Sequence, residues 1–255
     1  MLKKIIFAGC LSLMAFSGGV VAKETYVVGS GGTYRPFEFE NSQKQLEGFD
    51  IDIIKAIAQA EDFDIKLINT PWEGIFATLS TGDRDILISG ITITDKRQKM
   101  VDFSAPYFPA DQAIVVSENS KIADLEGLKK LNVGVVNSST GDIVVSDIIG
   151  KNSTAIKRFD NTPLLLQELY EDGIDAAVGD VGVVKYYIKT HPEKKFKLIY
   201  DPHFEKQYFG IAVAKGNSQL QQKINTGLQK IVADGTYAKI YQHWFDEQVP
   251  ELPSK

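Results

Sequence analysis

The sequence predicts an α/β protein of two lobes joined by two crossings of the chain. Three observations predict it. Short β-branched runs alternate with amphipathic stretches, the pattern of open sheets covered by helices. The alternation occurs twice, on either side of Pro106-Tyr107-Phe108-Pro109, which breaks regular structure. Beyond residue 209 only one strand and two helices follow, too little for a separate core, so they must pack on a lobe already formed.

The first element is a leader. Lys3 and Lys4 precede an uncharged stretch from Ile5 to Val21, which ends in Val20-Val21-Ala22 before Lys23-Glu24. A charged start, an apolar middle and a small-residue end predict a secretory signal peptide over 1–22, cleaved after Ala22. The stretch is at the short edge for a membrane-spanning helix. Cys10, the sole cysteine, lies within it, too early in the apolar run for a lipid-attachment site. The mature chain therefore has no disulfide, thiolate metal site or cysteine nucleophile.

The first lobe begins with a strand over Thr25 to Val28. Gly48-Phe49-Asp50 opens a helix whose Ile53, Ile54, Ile57 and Ala58 keep a 3.6-residue spacing. A strand over Ile65 to Ile68, a helix from Trp72 to Leu79 and a strand over Ile86 to Ile88 complete a β-α-β-α-β unit. After the Pro106–Pro109 break comes the apolar run Ala113 to Val116. A second unit then follows: strands at 133–136, 156–159 and 176–178 alternate with helices at 141–149, 163–170 and 181–189. The remaining strand, Ile211 to Val213, and helices at 220–233 and 236–245 return to the first lobe. The lobes are thus 23–108 with 210–250, and 112–204; the crossings at 107–111 and 205–209 form a hinge. The cleft between them is the expected ligand site.

Composition limits the function. Hydrophobic residues are 44% and charged residues 24%, ordinary for a globular chain. Lys and Arg number 28 against 33 Asp and Glu, a net charge of −5, and losing Lys3 and Lys4 with the leader makes it more negative. That surface argues against binding nucleic acid or anionic lipid.

Tyr34-Arg35-Pro36-Phe37-Glu38-Phe39, Gly48-Phe49-Asp50-Ile51-Asp52, Trp72-Glu73-Gly74-Ile75, Ser89-Gly90-Ile91-Thr92-Ile93-Thr94-Asp95-Lys96-Arg97 and Val101-Asp102-Phe103-Ser104 follow one another along the chain. With Ser139-Thr140-Gly141, Gly179-Asp180, Gly210 to Val213 and Asp234 to Tyr241, this ordered set resembles the polar amino-acid solute-binding proteins of ABC importers. The resemblance covers nearly all of the mature chain. It implies a periplasmic-binding-protein fold that closes on one L-amino acid, glutamine or arginine above others. It also implies a monomer that delivers the ligand to a membrane permease, with no cofactor or metal and no catalysis.

The site residues follow from the resemblance and the chemistry of each group. Arg97 taken alone reads as a surface charge at a helix start; the family pattern makes it the clamp on the ligand carboxylate, where its fork matches two oxygens. Thr92, with a strand-end hydroxyl, and Thr140 and Gly141, at a helix start, add donors to that carboxylate from opposite lobes. Thr140 also reads as an N-cap. Asp180 and the Gly90 carbonyl would receive the α-ammonium, although Asp180 too reads as an N-cap. Tyr34 and Trp72 would form the aromatic walls.

Gly31 departs from the pattern. Many relatives have an acid there for a basic ligand, and Ser30-Gly31-Gly32 offers none, which favours glutamine; Gly179 and Asn137 look more like the arginine binders. Replacing Gly31 with Asp is expected to shift preference toward basic ligands. Two other readings compete. A periplasmic dehydratase-like enzyme would need a general acid in the cleft, for which Glu73 is the candidate. A receptor-linked sensor would need a separate partner, because the sequence ends at Lys255 without an apolar span or catalytic extension. His191, His203 and His243 are isolated, and no nucleophile elbow, metal-ligand spacing or dinucleotide fingerprint is present. Asp50 and Asp52 read as first-turn acids that complement the helix dipole.

Overall fold

The computed structural model describes residues 23–253; the expected leader and Cys10 lie outside them. The elements in the first half are β1 (Thr25–Ser30), β2 (Thr33–Tyr34), β3 (Glu38–Glu40), β4 (Leu46–Glu47), α1 (Phe49–Ala60), β5 (Asp64–Asn69), α2 (Ala77–Thr81), β6 (Ile86–Leu87), α3 (Asp95–Gln98), β7 (Val101–Phe103), β8 (Phe108–Pro109) and β9 (Gln112–Ser117). The second half adds β10 (Val133–Val136), α4 (Thr140–Ile149), β11 (Ile156–Phe159), α5 (Thr162–Tyr170), β12 (Ala176–Asp180), α6 (Val181–Thr190), β13 (Phe196–Ile199), β14 (Tyr208–Phe209), β15 (Ala212–Ala214), α7 (Ser218–Ala233) and α8 (Thr236–Phe245).

Two five-stranded sheets result, each the centre of one lobe. The first has the order β5-β1-β6-β15-β7. Strands β1, β5 and β6 run parallel, while β15 enters antiparallel between β6 and β7, with Ala212 opposite both Leu87 and Phe103. The chain's return thus completes the first sheet, and α7 and α8 follow it. Ile53, Ile54 and Ile57 of α1 pack with Ile224, Leu228 and Ile231 of α7 and with Tyr237 and Tyr241 of α8 in one buried cluster. This is the apolar stripe that the helical spacing predicts.

The second sheet has the order β11-β10-β12-β9-β13. Here β9, the first strand after the outward crossing, runs antiparallel to β12 and β13, with Val178 opposite Ile114. Its two faces are separately buried, one around Val133, Val135 and Val145 and the other around Leu165, Leu169 and Val184. Strands hydrophobic on both faces read as continuous apolar runs, and Ala113 to Val116 is one. The crossings lie side by side: β8 pairs antiparallel with β14, and the Phe108 and Phe209 rings stack at 5.8 Å.

Several features differ from the sequence expectation. Residues 72–76 form turns, and α2 begins only at Ala77. Gly74 adopts φ +76°, a left-handed conformation that ends any helix begun at Trp72. The small sheet β2-β3-β4 and the edge strand β13 are additional, the former being too short to show alternation in sequence. The small sheet matters because its register sets Tyr34 directly opposite Glu38.

Candidate functional site

A cavity of about 440 Å³ lies between the two lobes. Tyr34, Trp72, Gly90, Thr92, Arg97, Thr140, Gly141 and Asp180 all line it, so residues spread over more than 140 positions of sequence meet at one place.

Arg97 enters from α3, whose N-cap Thr94 accepts the Arg97 backbone N–H through its hydroxyl at 3.2 Å. Its side chain is buried, and its Nη1 donates to the Thr92 carbonyl at 2.9 Å. Its Cζ lies 5.1 Å from the Trp72 ring centroid and 5.5 Å from that of Phe76. Among the described residues it makes no ion pair. Burial therefore pulls its pKa down to about 10, against the opposing pull of Asp180. A surface charge, the plain reading of the sequence, does not fit this burial.

Thr140 and Gly141 begin α4 on the other lobe. The N-cap is Ser139, whose Oγ accepts the Asp142 N–H at 3.1 Å, so the expected N-cap role of Thr140 passes to its neighbour. The first-turn N–H groups of a helix have no intrahelical acceptor and suit an anion. A Cβ on Gly141 would come within 2.9 Å of the Val178 carbonyl oxygen, so this close approach of α4 to β12 needs glycine.

Asp180 ends β12. It occupies the N-cap position of α6, but its side chain makes no capping bond. Its carboxylate instead accepts the Tyr34 hydroxyl from the first lobe and the Gln112 amide, which also donates to Thr140 Oγ1 at 3.2 Å. Burial raises its pKa to about 7, opposed by the Tyr34 bond and the Arg97 charge. Tyr34 is thus a polar contact as well as a wall, its ring stacked on Phe37 at 5.8 Å. Trp72 donates its indole N–H to the Asn137 carbonyl of the second lobe at 3.0 Å. Glu73 lines the cavity as an exposed residue.

Sequence reasoning missed Glu38 and Asp50. Glu38, opposite Tyr34, is 1% exposed and lines the cavity; its Oε1 accepts the Ser89 hydroxyl at 2.7 Å and lies 3.6 Å from where a Gly31 Cβ would stand. An acid of β3 thus stands beside Gly31. Asp50 is fully buried and accepts the Gly90 N–H at 2.8 Å and the Tyr107 hydroxyl at 2.9 Å. Both acids stand in the first turn of α1, as expected, and Asp52 also accepts the Trp244 indole N–H at 2.9 Å. The available signal was the acid two residues after Pro36, next to aromatic residues on both sides. Among the described residues no group of three or more His, Cys, Asp or Glu is placed to hold a metal ion, and no helix is long and apolar enough to cross a membrane.

Two α/β lobes around a cleft, with a buried guanidinium and a carboxylate facing the same small cavity, define a solute-binding protein. The chain belongs to the bacterial extracellular solute-binding proteins, family 3, whose profile matches residues 26–247. It is 39% identical over 226 residues to a probable histidine-binding protein of Neisseria gonorrhoeae, covering 88% of this chain and 84% of the relative. The structure resembles the arginine-, lysine-, histidine-binding protein ArtJ from Geobacillus stearothermophilus with a TM-score of 0.84 and 36% identity, covering 89% of this chain and 97% of the other. An ancestral arginine-binding protein solved with arginine has a TM-score of 0.81 and 42% identity, covering 88% and 99% of the two chains; a structure of such a protein with glutamine also has a TM-score of 0.81, at 41% identity and 89% and 100% coverage.

Proposed function

We propose that the protein captures a cationic L-amino acid in the periplasm, closes its lobes on it and presents it to the permease of an ABC importer. One observation carries this reading: Arg97 is buried, without an ion pair among the described residues, in the cavity that Asp180 lines from the other lobe. A buried unpaired charge is costly, and a ligand carboxylate bound bidentately removes that cost. Thr140, Gly141 and Thr92 complete the carboxylate site, and Asp180 takes the α-ammonium with the Gly90 carbonyl.

Glu38 favours a cationic side chain. It stands near the place the Gly31 departure left without an acid, beside Tyr34, whose face adds cation–π attraction. The histidine and arginine specificities named for the relatives support the same class. The paired crossings at β8 and β14 supply the hinge. Small-angle X-ray scattering with and without L-arginine tests the motion. The radius of gyration should fall on saturation in the wild type and stay constant in Arg97→Ala; no compaction with bound arginine would refute closure.

A further inference from the structure

Glu38, which lines the cavity, and Asp50 behind it are buried carboxyl groups on β3 and α1 that bond to consecutive residues, Ser89 and Gly90. Neither has a Lys or Arg within ion-pair distance among the described residues. Their donors are unequally shared. Among the described residues, Asp50 accepts the Gly90 N–H and the Tyr107 hydroxyl, whereas Glu38 accepts the Ser89 hydroxyl and its Oε2 is buried with no donor. Tyr34 from β2 and Asp180 from the second lobe also face Glu38, and neither brings a positive charge.

We propose that Glu38, backed by Asp50, is a specificity-determining residue that exchanges a proton for the ligand's side-chain charge, losing it to solvent when a cationic ligand binds and keeping it when a neutral amide binds. The inference rests on the cationic-ligand reading above. Two buried carboxylates side by side do not both ionise near neutral pH, so the pair holds one proton. Asp50, with more donors, ionises first, at about 7, and burial, with Asp50 beside it, keeps Glu38 well above the usual carboxyl range. When a guanidinium or ammonium enters, the Glu38 carboxyl gives its proton to solvent and becomes the carboxylate of an ion pair. A glutamine amide brings no charge, so the proton stays and Oε1 accepts an amide N–H. One cavity thus serves both ligand types, as the ancestral protein structures with arginine and with glutamine illustrate.

The test is calorimetric titration of the full mature chain with L-arginine and L-glutamine in buffers of different ionisation enthalpy, between about pH 5.5 and about pH 8.5, which counts the protons released. Asp180 meets the α-ammonium of either ligand, so its contribution cancels in the difference. Arginine should release up to about one proton more than glutamine, and its affinity relative to glutamine should rise with pH by as much as about tenfold per unit where that release occurs. In Glu38→Gln the extra release should vanish and preference should move to glutamine. Arginine bound with no extra proton at any pH, or extra release persisting in Glu38→Gln, overturns the exchange alone. Glutamine bound with no arginine binding overturns the cationic reading beneath it. The wild-type proton count decides the question even if the variant fails to fold.

Discussion

The indole N–H of Trp72 in the first lobe donates to the Asn137 carbonyl in the second, 3.0 Å away. The same ring lies against the Arg97 guanidinium, so one side chain links Arg97 to the opposite lobe. Trp72→Phe keeps an aromatic face and deletes the cross-lobe bond. It should weaken ligand binding by about 0.5–1.5 kcal/mol, and mostly through faster release. Stopped-flow dissociation kinetics check this.

Arg97 combines a functional charge with a structural cost. Arg97→Met should abolish tight binding yet raise the stability of the ligand-free protein by about 1–3 kcal/mol, because an unpaired buried charge is replaced by an apolar chain of similar length. Denaturant unfolding without ligand measures the gain. Arg97→Lys keeps the charge but loses the fork and should bind at least about tenfold more weakly.

Gly141 lets α4 approach β12. In Gly141→Ala the new methyl would meet the Val178 carbonyl oxygen at 2.9 Å, and backbone cannot yield as a flexible side chain does. The variant should lose about 1–3 kcal/mol of stability and should bind ligand more weakly as the helix start shifts. Unfolding and titration of the same sample separate the two effects.

The long, periodic elements were legible in the sequence: α1, α7 and α8 carry apolar stripes at helical spacing, and β9 is a continuous apolar run. The eight residues read as the site do meet at one cavity, because loops and element ends carrying Gly, Thr, Arg and Asp in family order are recognisable without coordinates. Trp72 was misplaced on a helix because Ile75, Phe76 and Leu79 imitate helical spacing, while a single Gly74 in a left-handed conformation decides the backbone. Glu38 and Asp50 were passed over because an acid's burial is set by partners far along the chain: Ser89 lies 51 positions from Glu38, and Tyr107 lies 57 from Asp50.

Stability should also depend on pH in a specific window. Burial raises both Asp50 and Asp180 to about 7, so between the unfolded value and that pH the folded state holds more protons than the unfolded one. The ligand-free protein should therefore lose stability as pH rises from about 4 to about 7, and Glu38, held higher by burial and by Asp50, continues the loss above that. Asp102, Asp201 and Asp234 are shifted downward and act at lower pH, with the opposite sign. Melting temperature against pH checks this, and Asp180→Asn should flatten the slope.

The central claim is that Arg97 holds the α-carboxylate of an amino acid, and agmatine, which is arginine without that carboxylate, tests it most directly. Calorimetric titration of the wild type with each ligand should show agmatine binding at least about a hundredfold more weakly than L-arginine, a difference of about 2.7 kcal/mol. Agmatine binding within about threefold of arginine, below about 1 kcal/mol, would contradict the account, because the cavity would then be recognising the side chain alone.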